Sequence, residues 1–280
     1  MKTITKLFIC LLFILSVQLS AQNFKGIATY KTTSSIDVKM DSTQMPNDQI
    51  SEIQAMLKKA MQKEFELQFN ASESTWKEAE SLGDAAPTNS SIKLVVSGFG
   101  GGNGALYKNT KNKTKVESTD LFGKQFLIKD GLKDYEWKLG SETKQIGQYT
   151  CYKAILTKEI NSTQMIAKNG AYEEKKEVKT QTITAWYTPE IPVNHGPENY
   201  WGLPGLILEV KDGKRILICS KIVLNPKQEI TIIPPTKGKE ISSKELEDIA
   251  RAKTMEMQKM YNAEGRKKNG NTSFSIKISN

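Results

Sequence analysis

The stretch Trp186–Val210, with the sequence WYTPEIPVNHGPENYWGLPGLILEV, places the strongest local constraints on the backbone of this chain. Four of the nine prolines lie within it, namely Pro189, Pro192, Pro197 and Pro204. Each proline fixes φ and removes a backbone donor, which disfavours regular structure between Thr188 and Trp201. We therefore predict a rigid connection of about a dozen residues between two strands, a length at which loops are often functional.

The end of this stretch predicts a sharp turn followed by a buried strand. In Leu203-Pro204-Gly205-Leu206, the proline presets φ at the first central position of a type II turn, and the glycine supplies the positive φ of the second. Gly202 allows a close approach of the backbone. Leu206-Ile207-Leu208 then puts apolar residues on both faces of a strand. These constraints assign a structural role to the motif Gly202, Leu203, Pro204, Gly205, Leu206 and Ile207.

Short apolar or alternating runs recur between polar breaks over the rest of the chain. They predict strands at Phe24–Thr33, Phe65–Phe69, Ser74–Ala79, Leu106–Asn109, Thr114–Ser118, Gln125–Ile128, Tyr135–Leu139, Gly147–Lys158, Gln181–Tyr187, Leu206–Lys211 and Arg215–Leu224. Polar or glycine-rich segments near 81–104 and 161–180 predict flexible loops, and the second could instead be an extended hairpin. This spacing of short strands favours an antiparallel meander.

Two segments have apolar residues at helical spacing. The first is Met45–Lys63, and the second runs from Ser242 to about Ala263 and opens with the capping box Ser242-Ser243-Lys244-Glu245. We therefore predict the α+β class. A curved antiparallel β-sheet, a half-barrel-like meander, would carry an N-terminal and a C-terminal amphipathic helix packed on it.

The first residues predict export. Lys2 and Lys6 precede the apolar run Leu7–Val17, and Ser20-Ala21 supply the small residues that precede cleavage. A membrane anchor is the alternative, but the run is shorter than the roughly 20 apolar residues that span a bilayer. We predict that residues 1–21 are a cleaved signal peptide and that residues 22–280 form a single domain without a transmembrane segment. That domain would work in the periplasm or outer envelope.

The charge pattern bears on nucleic-acid binding, and the cysteine count bears on disulfide formation. The formal net charge is +9, but lysines are interleaved with acids, as in Glu173-Glu174-Lys175-Lys176-Glu177, so no nucleic-acid-binding stripe is predicted. Removal of Cys10 with the signal would leave Cys151 and Cys219. These two could form a disulfide in an oxidising envelope, or they could be two small buried hydrophobes.

The hexapeptide Gly202-Leu203-Pro204-Gly205-Leu206-Ile207 resembles the signature of the GLPGLI family, which consists of exported proteins of Bacteroidetes. The flanking segments Tyr149–Ala154, Ala185–Pro192 and Gly196-Pro197 also look like the family pattern. The resemblance is strong over Gly147–Val210 and weaker elsewhere. It implies an envelope protein of undefined function, and it brings no catalytic residues.

Few residues support catalysis. His195 is the only histidine, so a Ser-His-Asp triad would need it, but no Gly-x-Ser-x-Gly motif is present. Glu190, with Glu198 and Glu209, would be the first carboxylates to test for carboxylate catalysis. The cysteines and the histidine of the mature chain have no metal-ligand spacing, so we predict neither a metal site nor a cofactor.

Three functions are consistent with these patterns. The leading hypothesis is a non-catalytic envelope protein that binds an apolar small molecule, a lipid or a peptide against its Met-rich helices. The candidate binding residues are Tyr200, Trp201, His195 and Trp186. The second hypothesis is an accessory or interaction protein of an outer-membrane transport or assembly machine. The third is a hydrolase that uses His195 or Glu190.

Overall fold

The computed structural model describes residues 24–34, 62–79, 104–168 and 171–265. The predicted signal peptide, almost all of the predicted helix Met45–Lys63 and most of the predicted loop near 81–104 lie outside these residues. The described ranges form an open, curled β-sheet with one helix. No helix within them is long and apolar enough to cross a membrane.

The sheet consists of short strands, apart from one long hairpin. The strands are β1 (Gly26–Ser34), β2 (Glu64–Phe69), β3 (Glu73–Glu78), β4 (Ala105–Asn109), β5 (Thr114–Leu121), β6 (Lys124–Gly131), β7 (Lys138–Ile146), β8 (Tyr149–Lys168), β9 (Ala171–Thr188), β10 (Leu206–Asp212), β11 (Arg215–Leu224) and β12 (Lys239–Ile241). Their order across the sheet is β12-β6-β5-β4-β3-β2-β1-β11-β10-β9-β8-β7. All neighbouring strands are antiparallel except β12, which runs parallel to β6. The predicted antiparallel sheet is therefore confirmed, and β1 joins its two meanders.

Side-chain alternation determines the core face of the sheet. In β2, Phe65, Leu67 and Phe69 are buried, while Glu66 and Gln68 are partly exposed. Residues two apart on a strand share a face, so this pattern buries one side of β2. Most register partners of these residues in β1 and β3 are buried too, including Ala28, Tyr30 and Trp76, whereas Glu78 opposite Phe65 is partly exposed.

One helix, α1 (Ser243–Gly265), follows β12. The predicted capping box is confirmed: the Ser242 N–H donates to Glu245 Oε2 at 2.7 Å, and the Glu245 N–H donates to Ser242 Oγ at 3.2 Å. Leu246 and Ile249 of the helix pack against a small cluster on β6 and β12. The prediction of two packed helices is thus met only in part, because the described residues form a mostly β structure with this one helix.

The hairpin of β8 and β9 corrects the prediction of a flexible loop over 161–180. Strand β8 pairs with β9 without a break, from Tyr152 opposite Tyr187 to Lys168 opposite Ala171. The alternative of an extended hairpin therefore describes this segment. The backbone pairing alone defines this hairpin, because its mostly polar sequence lacks the apolar alternation by which other strands were predicted.

Candidate functional site

The connection between β9 and β10, Pro189–Gly205, is called the proline loop below. It packs into the interior of the curled sheet. Ile191, Val193 and Leu203 are at most 4% exposed, and they share a core cluster with Tyr30 of β1 and Trp76 of β3. The loop therefore fills the interior of the sheet with its own side chains.

Lys108 of β4 is the main polar anchor of the proline loop. Its side chain is fully buried, and its Nζ donates to the carbonyl oxygens of Gly196 at 2.8 Å, Glu198 at 2.5 Å and Tyr200 at 3.3 Å. An ammonium group has three donors, and all three are used here. Buried carbonyls of an irregular segment need such partners, because no neighbouring strand supplies them.

The environment of Lys108 makes its charge costly. Burial lowers the pKa of Lys108 from 10.5 to about 7, the carboxylate of Glu198 acts against this shift, and Lys115 adds to it. The anchor is thus only partly charged near neutral pH, although the neutral amine keeps two N–H donors.

Two residues at the turn between β10 and β11 hold the middle of the loop. Tyr200 Oη donates to Asp212 Oδ2 at 2.6 Å, and Arg215 forms an ion pair with the carboxylate of Glu198. Glu198 has a left-handed backbone with φ of 51°, which costs a non-glycine residue about 1–2 kcal/mol. The contacts of Lys108 with its carbonyl and of Arg215 with its carboxylate stabilise that conformation.

The segment between β6 and β7 covers the end of the loop. Trp201 Nε1 donates to the Lys133 carbonyl at 3.0 Å, and Trp137 Nε1 donates to the Trp201 carbonyl at 2.9 Å. The rings of Tyr135 and Trp137 lie 6.2 and 6.3 Å from the ring of Tyr200, measured between centroids. Aromatic pairs at such distances attract one another, so this segment and the loop stabilise each other.

The turn at the end of the loop is tighter than the predicted type II turn. In a type II turn the Leu206 N–H would donate to the Leu203 carbonyl, but it donates to the Ile191 carbonyl at 3.0 Å. The Gly205 N–H donates to the Leu203 carbonyl instead, at 2.8 Å. Gly205 has φ of 154°, and a Cβ there would lie 2.1 Å from the Thr188 carbonyl oxygen. Glycine is required because the two ends of the loop touch at this point.

His195 lies inside the loop and is fully buried. Its Nε2 lies 3.1 Å from the Asn70 carbonyl oxygen, so Nε2 carries the hydrogen and donates it. Its Nδ1 has no partner among the described residues. Burial, helped by the nearby charge of Lys108, lowers the pKa of His195 from 6.5 to about 3. The imidazole is therefore a neutral structural group.

The protonation of His195 can be measured directly because the chain contains one histidine. We expect its ring NMR signals to keep the shifts of a neutral imidazole as the pH falls from 6.5 towards 3. The unfolded chain takes up this proton below about pH 6.5, so the free energy of unfolding should fall across the same window. His195→Gln keeps a donor for the Asn70 carbonyl and should flatten this slope. A ring that titrates near pH 6.5 would contradict the assignment.

The four predicted binding residues lie in two places. Tyr200 and Trp201 are 7% and 5% exposed, and with His195 they lie within the buried loop. Trp186 lies on β9, where Lys144 Nζ is 4.6 Å from its ring centroid and Lys144 also pairs with Glu209 at 2.6 Å. The contacts of all four residues are made within the protein itself.

The candidate catalytic residues also make structural contacts. Glu190 Oε1 accepts the Thr150 N–H at 2.8 Å, which fastens the start of the loop to β8. Within the described residues no hydroxyl or thiol hydrogen-bonds to His195. No group of three or more histidines, cysteines or carboxylates in the same ranges is placed to hold a metal ion. Within the described residues, the hydrogen bonds that the structure gives for the side chains of His195 and Glu190 are to backbone groups.

Cys151 and Cys219 are both buried free thiols, so the second of the two alternatives, a pair of small buried hydrophobes, describes them. Their strands, β8 and β11, are separated by β9 and β10. A bridge needs Cα atoms about 5.5 Å apart, which neighbouring strands would have provided. Burial raises the pKa of Cys151 to about 11 and that of Cys219 to about 12, so both remain protonated and unreactive near neutral pH.

An open cleft of about 550 Å³ lies where the proline loop meets two turns of the sheet. Its walls are Pro192–Asn194 and Leu203–Gly205 of the loop, Ala71-Ser72 of the turn between β2 and β3, and Thr110-Lys111 after β4. The lining is mainly apolar, with the exposed Lys111 at its edge. The motif that turns the chain therefore also forms one wall of a surface cleft.

Sequence reasoning missed several residues that hold the loop, above all Lys108. One signal was available: Lys108 is two residues from Leu106, a core-face position of the same strand. A lysine on the core face of a strand requires buried acceptors. Asp212 and Arg215 carried no such signal, because charged residues beside a hairpin turn are usually solvated.

Residues 137–209 match a Bacteroidetes-type family described as "Protein of unknown function (Porph_ging)". The matched segment includes β7–β9, the proline loop and the hexapeptide at 202–207. Two solved structures of PNGF-II, in the C2 and P21 space groups, are similar at 15% and 16% identity, each with a TM-score of 0.46. The similarity covers 81% of this chain but only 32% and 33% of those chains, so this chain spans about a third of their length. No curated protein matches the chain.

Proposed function

We propose that this protein is an exported envelope protein of the GLPGLI kind that binds an apolar peptide segment of a partner protein without catalysis. The signal-like residues 1–21 and the motif at 202–207 support the first half of this proposal. The observation that carries the second half is the cleft beside the turn at Leu203–Gly205. An outer-membrane protein is one such partner.

The filled interior favours a peptide over an enclosed ligand. Sites for small molecules and lipids usually bury 70–90% of the ligand surface. Here the side chains of the proline loop fill the interior of the sheet among the described residues, so that interior is not available to a ligand. A peptide needs only a shallow apolar cleft with a few polar groups, and Asn194 is among the residues that line this one.

The positive charge of Lys111, which lines the cleft, favours peptides that carry a negative charge. Lys111 is exposed and makes no ion pair within the described part of the chain. Lys113 and Lys115 on the same hairpin already pair with Asp134 and Glu117. An apolar segment with one carboxylate near the cleft would satisfy Lys111, so we expect acidic apolar peptides to bind best.

The test uses immobilised hexapeptides of apolar residues that contain either one aspartate or one lysine. Ala71→Trp fills the cleft from an exposed turn and should weaken binding by about tenfold or more. Lys111→Glu should shift the preference from aspartate to lysine peptides. Lys124→Glu, at the exposed start of β6, is the matched charge control and should change neither.

Two results would remove the proposal. One is equal binding of both peptide sets to the unmodified protein and to Ala71→Trp. The other is a phospholipid that copurifies with the chain in equimolar amount, which mass spectrometry of solvent extracts would detect and which would indicate a lipid carrier.

A further inference from the structure

The β8–β9 hairpin extends well beyond the rest of the sheet. Strand β7 pairs with β8 only as far as Ile155, and β10 pairs with β9 only as far as Ile183. Residues 157–168 and 171–182, called the arm below, therefore have no neighbouring strand among the described residues. At about 3.3 Å per residue the arm is roughly 40 Å long.

The two free edges of this arm can each pair with a further β-strand. An isolated two-stranded hairpin is only marginally stable in water. Both edges of the arm carry backbone N–H and C=O groups that no other strand of the described chain pairs with. A third strand on either edge would satisfy these groups and stabilise the arm.

The β9 edge has a regular charge pattern. Alternate positions share one face of a strand, and four such positions in succession are Glu173, Lys175, Glu177 and Lys179. Their register partners on β8 carry no charge: they are Ile166, Gln164, Ser162 and Ile160. The ion pair between Glu177 and Lys179, at 3.2 Å, runs along the strand and is largely exposed. The backbone register of the hairpin therefore sets an uncharged residue directly opposite each charge of this row.

We propose that two copies of this chain associate by antiparallel pairing of their β9 arm edges about a two-fold axis at Lys176. In this register Glu173 of each copy lies opposite Lys179 of the other, and Lys175 lies opposite Glu177. Four cross-strand pairs of opposite charge form, each of which stabilises a sheet.

The two-fold symmetry makes this register the favoured one. An antiparallel pair related by a two-fold axis places one residue opposite its own copy, and the choice of that residue sets every other pair. Centring at Glu174 or Val178 leaves two opposite-charge pairs in the row, and centring at Lys175 or Glu177 sets like charges against each other. Centring at Lys176 gives four pairs of opposite charge. It also sets Lys176 of one copy opposite Lys176 of the other, on the other face, which is a single like-charge contact.

A second copy fits the arm better than an anionic membrane does. Residues 157–182 contain five lysines and four glutamates, so the arm is nearly neutral. Binding to an anionic lipid surface needs an excess of basic residues. The alternation of charge, in contrast, is complementary to its own reversed sequence.

The experiment measures association of the chain from Gln22 onward by sedimentation equilibrium. Glu173→Lys with Glu177→Lys makes the row all basic, and Lys175→Glu with Lys179→Glu makes it all acidic. Each double variant should dimerise about 30-fold or more weakly than the unmodified chain, because four attractions become repulsions. An equimolar mixture of the two should form a heterodimer of nearly unmodified affinity. Glu136→Lys with Glu229→Lys, at exposed sites away from the arm, is the matched control and should dimerise normally.

Three results would overturn the inference, provided that circular dichroism shows folded variants. The first is an unmodified chain that stays monomeric up to about 100 µM, a concentration at which a specific dimer of useful affinity would be populated. The second is a dimer that both reversals leave intact, which would locate the contact elsewhere. The third is a mixture of the two variants that does not associate. A dimer weakened by salt supports the ion pairs.

Discussion

Replacement of Lys108 by methionine is expected to lower the free energy of unfolding by about 3 kcal/mol or more. Methionine keeps the length and apolar stem of the side chain but leaves the carbonyls of Gly196, Glu198 and Tyr200 without their buried donor. Each buried acceptor left unpaired costs about 1–3 kcal/mol, partly offset because a buried charge is also removed. Urea unfolding followed by tryptophan fluorescence measures the loss, since Trp201 lies in the same loop.

The pH dependence gives this prediction a second measurement. The unfolded chain holds the lysine proton up to about pH 10.5 and the folded chain only up to about 7, so the free energy of unfolding should rise across that window. Lys108→Met should remove this rise. Lys124→Met, at the exposed start of β6, is the matched control and should change stability by less than about 0.5 kcal/mol. A Lys108→Met protein as stable as this control would show that the lysine does not anchor the loop.

Replacement of Gly205 by alanine is expected to cost about 3–5 kcal/mol or to prevent folding. The added Cβ would lie 2.1 Å from the Thr188 carbonyl oxygen and 2.8 Å from the Pro189 nitrogen, and both are backbone atoms that cannot rotate away. Overpacking of this kind costs about 1–3 kcal/mol, and the positive φ of 154° adds strain of similar size. The midpoint of urea unfolding measures the effect.

Gly147→Ala provides the matched control for the same chemical change. Gly147 has φ of 60° and no atom within 4 Å of its would-be Cβ, so only the left-handed backbone cost of about 1–2 kcal/mol applies. Soluble expression at reduced temperature gives a second readout if Gly205→Ala fails to fold in the first. Equal losses for the two variants would mean that the contact between the ends of the loop does not constrain the fold.

The proposed peptide site and the proposed arm contact use separate parts of the molecule. The cleft lies beside the turn at Leu203–Gly205, whereas the arm begins past Leu156 and Ile183 at the far end of β8 and β9. An experiment that rejects one of the two proposals therefore does not reject the other. A dimer formed through the arms would present two clefts, which would raise the avidity for a partner that carries repeated segments.

Local sequence signals predicted individual strands well. Arg215–Leu224 is the strand as predicted, and Phe65–Phe69 differs from β2 by one residue. Apolar residues at every second position report directly on burial of one face, so these strands are visible without their partners. The capping box at Ser242 was equally readable, because all of its atoms lie within four residues.

The same reasoning left alternatives open where the contact that decides between them is distant in the sequence. The segment 161–180 is mostly polar and its few apolar residues have no regular period, so only its backbone pairing shows that it is a hairpin. The two cysteines were each in strands as expected, but strand order, which a single sequence does not encode locally, separates them by two strands.

The sequence by itself indicated that the chain is irregular between Thr188 and Trp201 and that a buried strand begins at Leu206, because proline and glycine restrict the backbone whatever surrounds them. Only the tertiary structure decided what that segment contacts. Lys108 binds carbonyls 88 to 92 residues further along the chain, and the strand order brings them together. Because a buried ammonium needs acceptors, Lys108 holds the loop inside the curled sheet, and two parts of the loop, Pro192–Asn194 and Leu203–Gly205, also line the cleft.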